Sequence, residues 1–513
     1  MIPPERLTII VDNRKTGFQS RFGINIVGDL MPAEQPDRQP GQPAADLLPD
    51  GLIANSVLTR WAGMEWSGAD LGALKRSAAV REARDLPDLR SLELGSHELA
   101  AEQSALRARL LASTELCVAL AFRAETSHPL AHLEYEGPLE SIRAKKSAHQ
   151  DKRTFVTLHD LFMVSARSNL RSSLAPDISS PLSPDIRAEI PFMQAPMTYI
   201  SEEINNCFVE QGGFAMGHRW MSKEDTLKMI GTHPGRAIAV VGCDPVEEQF
   251  LLAKEYLKAG AVGILVDVNI AWTEKYLGLL KKISELGPDV LIAGNVDNPE
   301  AVIDLFLAGA TVVKMGVGPG SHCKTRQVTP IGRPQGSNIS ACAYVARLLG
   351  MYSIADGGIQ SGGRFATMAL ALNSDFVMKG RIFASTDQGK LERHFFAGDW
   401  VLSKIGRALQ SFFSSSPLIN GWAKMSGTRL HYYGMAEQKF QDRTMGGKKR
   451  PGQGYSSYVP QTGDLNDLLE SYRDETKVGV ASTGSKDLTA LRKNAQFGLV
   501  TSSYQSESGH RKY

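Results

Sequence analysis

The run Gly316-Val317-Gly318-Pro319-Gly320-Ser321-His322-Cys323-Lys324-Thr325-Arg326 is where this sequence concentrates its chemistry. Three glycines within five residues let the backbone take positive φ and turn its N–H and C=O groups outward. Cys323 stands at the exit of an apolar stretch, beside His322, Lys324 and Arg326. Neighbouring cations lower a thiol's pKa and so raise the fraction of attacking thiolate. The sequence therefore predicts a nucleophile at Cys323. Cys117 and Cys342, set in apolar runs, and Cys243 read as buried, inert thiols.

Two further motifs lie downstream, Ala355-Asp356-Gly357-Gly358 and Met378-Lys379-Gly380-Arg381. Glycine loops of this kind bind phosphate through backbone N–H groups, and a carboxylate at 356 can accept two hydrogen bonds from a ribose diol. Taken singly, each also reads as a plain turn.

These residues need elements to position them. From residue 154 short β-type runs alternate with helix-length amphipathic stretches in seven or eight units: IPFMQAPM, AIAVVGCD, AVGILVDVN, DVLIAGNVDN, TVVKMGVGPG and YSIADGG each precede a helical pattern, the last leading to DFVMKGRIF. Parallel neighbours need crossover elements, so the count predicts an α/β (β/α)8 TIM barrel, with an open doubly wound sheet as the alternative. In a barrel Asp267, Asn295, the loop from Gly316, Asp356 and Gly380 converge on one mouth. Residues 1–150 read as an extra N-terminal α+β module of unassigned role. LTIIVDN, FGINIVG and LAHLEYEG are its expected strands, and SHELAAEQSALRARLLASTELCVALAF is one long helix capped by its Ser. The basic stretch 141–153 reads as a solvated linker. Residues 151–505 read as the barrel, with an insertion at 390–416 and a flap at 437–454.

Composition bounds the rest. Across 513 residues, 42% hydrophobic and 22% charged content excludes collagen-like, mucin-like and wholly disordered chains. A net charge of +2 gives no footprint for nucleic acid or an anionic membrane, and no apolar run approaches the roughly 20 residues of a membrane span. The opening MIPPERLTIIVDNRK lacks a secretory pattern, and five sparse cysteines suit reduced thiols, so a cytoplasmic location is expected.

In order and spacing the motifs resemble the IMP dehydrogenase/GMP reductase family. The resemblance runs from roughly Thr154 to Val500. It is carried by Phe155 to Val164, Gln211-Gly212-Gly213 through His218-Arg219-Trp220-Met221-Ser222, Gly294-Asn295-Val296, the cysteine loop, Ala355-Asp356-Gly357-Gly358-Ile359 and Tyr432-Tyr433-Gly434-Met435. It implies a barrel binding a purine nucleoside monophosphate beside NADPH or NAD. Cys323 then adds to purine C2, and Thr325 relays a proton. Ser321, Gly358, Gly380 and Arg381 surround the phosphate and Asp356 holds the ribose. Tyr432 and Met435 lie near the phosphate and base, while Asp267, Asn295 and Gly316 face the nicotinamide. The resemblance also implies a potassium site from the carbonyls of Gly318, Gly320 and Cys323, and a homotetramer or octamer. No nucleic-acid or membrane partner is expected.

Two reactions share that covalent intermediate. A dehydrogenase passes hydride from IMP to NAD and hydrolyses the adduct, whereas a reductase expels ammonia from GMP and accepts hydride from NADPH. The short stretch between Ser222 and AIAVVG lacks the regulatory modules usual in family dehydrogenases, and Arg443 is followed by Thr444 where they carry Tyr. Both features point to the reductase. Gln453 cuts the other way, because the reductase places a Glu there and an amide cannot ionise. Thr198 and Arg381 also depart from the family's usual residues. The expectation is GMP reduction. The alternatives are an IMP dehydrogenase without regulatory modules, a relative acting on an unusual purine nucleotide, and a non-catalytic nucleotide-binding scaffold.

Overall fold

The structure is a computed structural model that describes residues 78–92, 94–131, 133, 155–360, 362–394, 429–433 and 454–500. The expected strands LTIIVDN and FGINIVG, the flap up to Gln453, Met435 and the aromatic part of the 390–416 insertion lie outside these residues.

The described residues begin with three α-helices, α1 (Ala78–Asp85), α2 (Ser96–Ala112) and α3 (Thr114–Ser127). The single long helix expected over 96–122 is in fact two. Ser113 adopts an extended conformation and its hydroxyl accepts from Leu116 N, capping α3, because serine competes well at caps and poorly inside helices. The α2 cap is Gly95 rather than Ser96, with Gly95 N donating to Glu98 Oε2 at 3.3 Å. Of the strand expected over LAHLEYEG, Ala131 and Leu133 are helical, in line with the helix propensity of Ala and Leu.

Two small antiparallel pairs frame the next segment. β1 (Leu161–Met163) pairs with β15 (Phe497–Leu499), and β2 (Ser180–Pro181) pairs with β3 (Arg187–Ala188). The eight barrel strands follow: β4 (Phe192–Gln194), β5 (Ala215–Met216), β6 (Ala237–Val241), β7 (Gly263–Asp267), β8 (Leu291–Val296), β9 (Val312–Met315), β10 (Tyr352–Asp356) and β11 (Phe376–Lys379). All neighbours are parallel, in the order β4-β11-β10-β9-β8-β7-β6-β5. At the seam between β4 and β5, the Gln194 amide donates to Phe214 O and to Asn205 Oδ1, which also accepts from Met216 N. The fold is the (β/α)8 barrel the sequence predicts.

Alternation along the strands builds two apolar layers. On β6, Ile238 and Val240 face the barrel interior with Phe214, Leu265, Ile354 and Met378. Ala237, Ala239 and Val241 face the surrounding helices. Leu182 and Ala188, beside β2 and on β3, join the interior cluster. The expected crossover helices are present: α4 (Glu202–Glu210), α5 (Lys223–Thr232), α6 (Val246–Lys258), α7 (Glu274–Ser284), α8 (Pro299–Leu307), α10 (Gln335–Leu348) and α11 (Gly363–Ala371), with the single turn α9 (Thr325–Val328) before α10. The turn α12 (Arg381–Ala384) follows β11.

Helix α10 is buried nearly all round, because α3 covers the face that the barrel leaves open. Arg123 of α3 donates to the carbonyls of Ala83 and Leu86, and His128 Nδ1 meets Ser340 Oγ at 2.9 Å. Beneath the barrel, the fully buried Asp375 carboxylate is held by Arg90 and by Arg492, and the Arg90 guanidinium lies 3.5 Å from the Tyr352 ring centroid. The N-terminal helices thus share the core of the barrel.

β12 (Glu392–His394), β13 (Arg429–Tyr433) and β14 (Ser456–Pro460) form an antiparallel sheet. β12 comes from the first residues of the expected insertion. Helices α13 (Leu465–Ser482) and α14 (Leu488–Asn494) follow, ahead of β15. Among the described residues no helix is long and apolar enough to cross a membrane.

Candidate active site

A cavity of about 420 Å³ opens at the C-terminal end of the barrel strands. Asp267 ends β7, Asn295 lies near the end of β8, Gly316 follows β9, Asp356 ends β10 and Gly380 follows β11. All five line the cavity, together with Gly318, Gly320, Ser321, Cys323, Thr325, Gly358, Arg381 and Tyr432. Every predicted site residue that is described is therefore brought to one place. Gln453 and Met435 lie outside the described residues.

The Cys323 thiol is half-buried and donates to Thr325 Oγ1 at 3.1 Å. Its backbone N–H donates to Gly320 O at 3.0 Å, closing the turn that presents it. Gly316 makes the approach of β9 to β10 possible. Its φ is +145°, and a side chain there would collide with the Asp356 carbonyl. The loop is also tied to the strand beyond the flap. Tyr455 N donates to His322 O at 2.9 Å, and Cys323 forms a β-bridge with Gly454.

The expected cationic surroundings of Cys323 are only partly realised. His322 is neutral, its pKa pushed down to about 4 by burial and by Arg381. Lys324 Nζ lies 4.0 Å from the Tyr455 ring centroid. Arg326 donates to the carbonyls of Val317 and Arg333 and remains within electrostatic reach of the sulfur. Burial sets the state of His322, and the contacts of Lys324 and Arg326 set where those two point.

Lys314, which also lines the cavity, is a site residue that the sequence motifs do not reveal. Its ammonium reaches Asp267 Oδ1 at 2.9 Å and Asp356 Oδ2 at 3.0 Å, and it also bonds Asn295 Oδ1. Burial opposes its charge, but the two carboxylates outweigh burial and hold its pKa above the ordinary lysine value. The Asn295 amide completes the frame by donating to Asp356 Oδ2 at 2.9 Å and to Gly316 O at 2.7 Å. A lysine inside the apolar run TVVKM was the one available signal. Gln335 was also missed; it donates to the carbonyls of Asp356 and Met315. In the sequence Lys379 stands out only as a member of Met378-Lys379-Gly380-Arg381. Buried, it donates to Gln360 O and Gly362 O behind the glycine loop, and burial pulls its pKa down to about 7.

Tyr432, which also lines the cavity, is buried, and its hydroxyl is pushed up by burial first and then by Asp356. It donates to Met197 Sδ at 3.4 Å, and a side chain at Gly380 would press on it. Thr198, next to Met197, meets the Tyr433 hydroxyl at 3.3 Å. The arrangement offers a thiol with a hydroxyl beside it, a braced carboxylate and a glycine-lined end near Arg381. That set can attack an electrophilic carbon of a ligand held by a diol and an anionic group.

A family model described as the IMP dehydrogenase / GMP reductase domain matches residues 155–511. An inosine-5′-monophosphate dehydrogenase of Chlorobaculum parvum is 34% identical over 253 residues, 49% of this chain and 48% of that protein. One from Staphylococcus aureus is 32% identical over 264 residues, 51% of this chain and 50% of that protein. The chain spans about half the length of the curated relatives it matches. With 155–511 covering the whole barrel and its cysteine loop, the chain belongs to the IMP dehydrogenase/GMP reductase family.

Proposed function

We propose that this protein is a nicotinamide-dependent oxidoreductase of purine nucleoside monophosphates, and that it oxidises IMP at C2. The observation that carries the reading is the Cys323 sulfur, 3.1 Å from the Thr325 hydroxyl, in the same cavity as the braced Asp356 carboxylate. The relatives named above as inosine-5′-monophosphate dehydrogenases favour oxidation over the GMP reduction expected from sequence.

In this reading Asp356 accepts the ribose hydroxyls, with its charge held by Lys314 and Asn295. Ser321, Gly358, Gly380 and Arg381 face the phosphate, and Tyr432 closes that end. The Cys323 thiolate bonds to purine C2, and water later displaces the sulfur to leave a 2-oxo purine and the free thiol. Thr325, whose hydroxyl accepts from the Cys323 thiol, passes the proton that this hydrolysis moves in this reading. Gln453 immediately precedes Gly454, the bridge partner of Cys323, and as an amide it orients rather than ionises. Asp267, Asn295 and Gly316 line the part of the cavity suited to a nicotinamide dinucleotide, which accepts the C2 hydride when bound. A potassium ion held by the carbonyls of Gly318, Gly320 and Cys323 would brace the loop. Gly318, at φ +79°, and the turn at Gly320 fit that role. The barrel of 151–505 is taken as the catalytic body, assembling as a tetramer or octamer.

The second reading, GMP reduction, is favoured by one observation: α5 follows Ser222 directly and leads straight into β6. Absorbance at 340 nm separates the two. A rise with IMP and NAD supports oxidation, a fall with GMP and NADPH supports reduction, and neither change removes both.

A further inference from the structure

His322 occupies an unusual position, between the serine at the phosphate end and the reactive cysteine. Both of its ring nitrogens have hydroxyl partners. Nδ1 lies 3.1 Å from Ser321 Oγ and Nε2 lies 2.5 Å from Ser457 Oγ. The ring is fixed edge-on against Tyr432, with centroids 4.6 Å apart and an interplanar angle of 86°. Tyr432 and Ser457 are themselves paired across the β13–β14 ladder, so the imidazole is wedged against one cross-strand pair. The main chain is held as well, because His322 O accepts from Tyr455 N.

A neutral imidazole has one donor and one acceptor nitrogen, so these two contacts cannot be of the same kind. With the proton on Nδ1, the ring donates to Ser321 Oγ and accepts from the Ser457 hydroxyl. The Ser321 hydroxyl hydrogen is then free to point into the cavity. With the proton on Nε2 the ring donates to Ser457, the Ser321 hydrogen is consumed by Nδ1, and only oxygen lone pairs face the cavity. An anion selects the first arrangement and is repelled by the second.

We propose that Ser457, His322 and Ser321 form a hydroxyl–imidazole–hydroxyl relay that turns the Ser321 hydroxyl hydrogen toward the substrate's 5′-phosphate, with His322 as the positioning residue. The inference rests on the reading that Ser321 faces that phosphate. It makes phosphate recognition depend on β14, the strand that follows the flap. A substrate lacking the phosphate gains nothing from the relay.

The test is equilibrium binding of IMP and of inosine, its phosphate-free nucleoside, to the full-length chain by titration calorimetry. Wild type is compared with His322→Phe, His322→Asn and Ser457→Ala, each first matched to wild type by circular dichroism. Phe keeps the ring against Tyr432 and has no nitrogen, whereas the Asn amide can still donate toward Ser321. His322→Phe should weaken IMP binding about 3- to 10-fold, the range for losing the neutral hydrogen bond that orients Ser321, and leave inosine within about twofold. His322→Asn should recover most of that loss, and Ser457→Ala should weaken IMP in the same direction by a few-fold. Unchanged IMP affinity in His322→Phe, or equal losses for IMP and inosine, overturns the relay alone. Wild type that binds IMP no better than inosine overturns the functional reading and the relay with it.

Discussion

Lys314 Nζ stands 3.0 Å from Asp356 Oδ2, and the lysine side chain is 2% exposed. A buried ammonium on β9 thus holds the carboxylate that ends β10, while the same nitrogen reaches Asp267 at the end of β7. Three strands of the barrel are locked at their C-terminal ends by one cation.

Lys314→Met should lower stability by about 3–5 kcal/mol, because it leaves two carboxylates facing each other in a half-buried site. The shift will show as a lower urea midpoint at unchanged slope. Nucleotide affinity should fall as well, since Asp356 loses the partner that orients it.

Two ion pairs of the N-terminal helical region should behave differently. Arg90 and Asp375 are 8% and 0% exposed, whereas Arg109 and Glu82 are 50% and 44% exposed. Arg90→Ala is expected to cost about 3–5 kcal/mol, while Arg109→Ala is expected to cost no more than about 1 kcal/mol. Parallel denaturation curves of the two variants check the contrast.

His322 and His218 both titrate at about 4 in the folded chain, lowered in each case first by burial, then by Arg381 for His322 and Lys390 for His218. Their ordinary value is about 6.5, so between about 6.5 and 4 the unfolded chain binds more protons than the folded one. Stability from these groups is therefore full above 6.5 and is lost as pH falls through 4. Replacing both with Gln should flatten the difference between midpoints at pH 7 and pH 4.5. An identical acid slope in the double variant would refute the assignment.

Lys379 gives the alkaline counterpart. Its folded pKa of about 7 lies below the ordinary lysine value of about 10.4, so stability should climb as pH rises from 7 to 9. Lys379→Met should lack that climb.

The legible parts of this molecule were those where one residue type carries its own constraint. AIAVV and GILVD read as strands because a parallel barrel buries both faces of each strand, giving unbroken apolar runs. The cysteine loop was legible because glycine spacing and a thiol outside an apolar run coincide at Cys323. Lys314 was not, since a single lysine in TVVKM does not say which carboxylates, 47 residues back at 267 and 42 on at 356, will meet it. Arg90 and Asp375 are 285 residues apart, and only the closed barrel brings them together. The neutral state of His322 was equally hidden, because burial on a fold sets it and a row of letters suggests a cation.

The most direct measurement is peptide mass spectrometry on enzyme acid-quenched during turnover of IMP with NAD. The account predicts a purine nucleotide attached to Cys323 and none in Cys323→Ala, which should also be inactive. A Cys323→Ala variant that turns over IMP at the wild-type rate, or a nucleotide attached elsewhere, would contradict it.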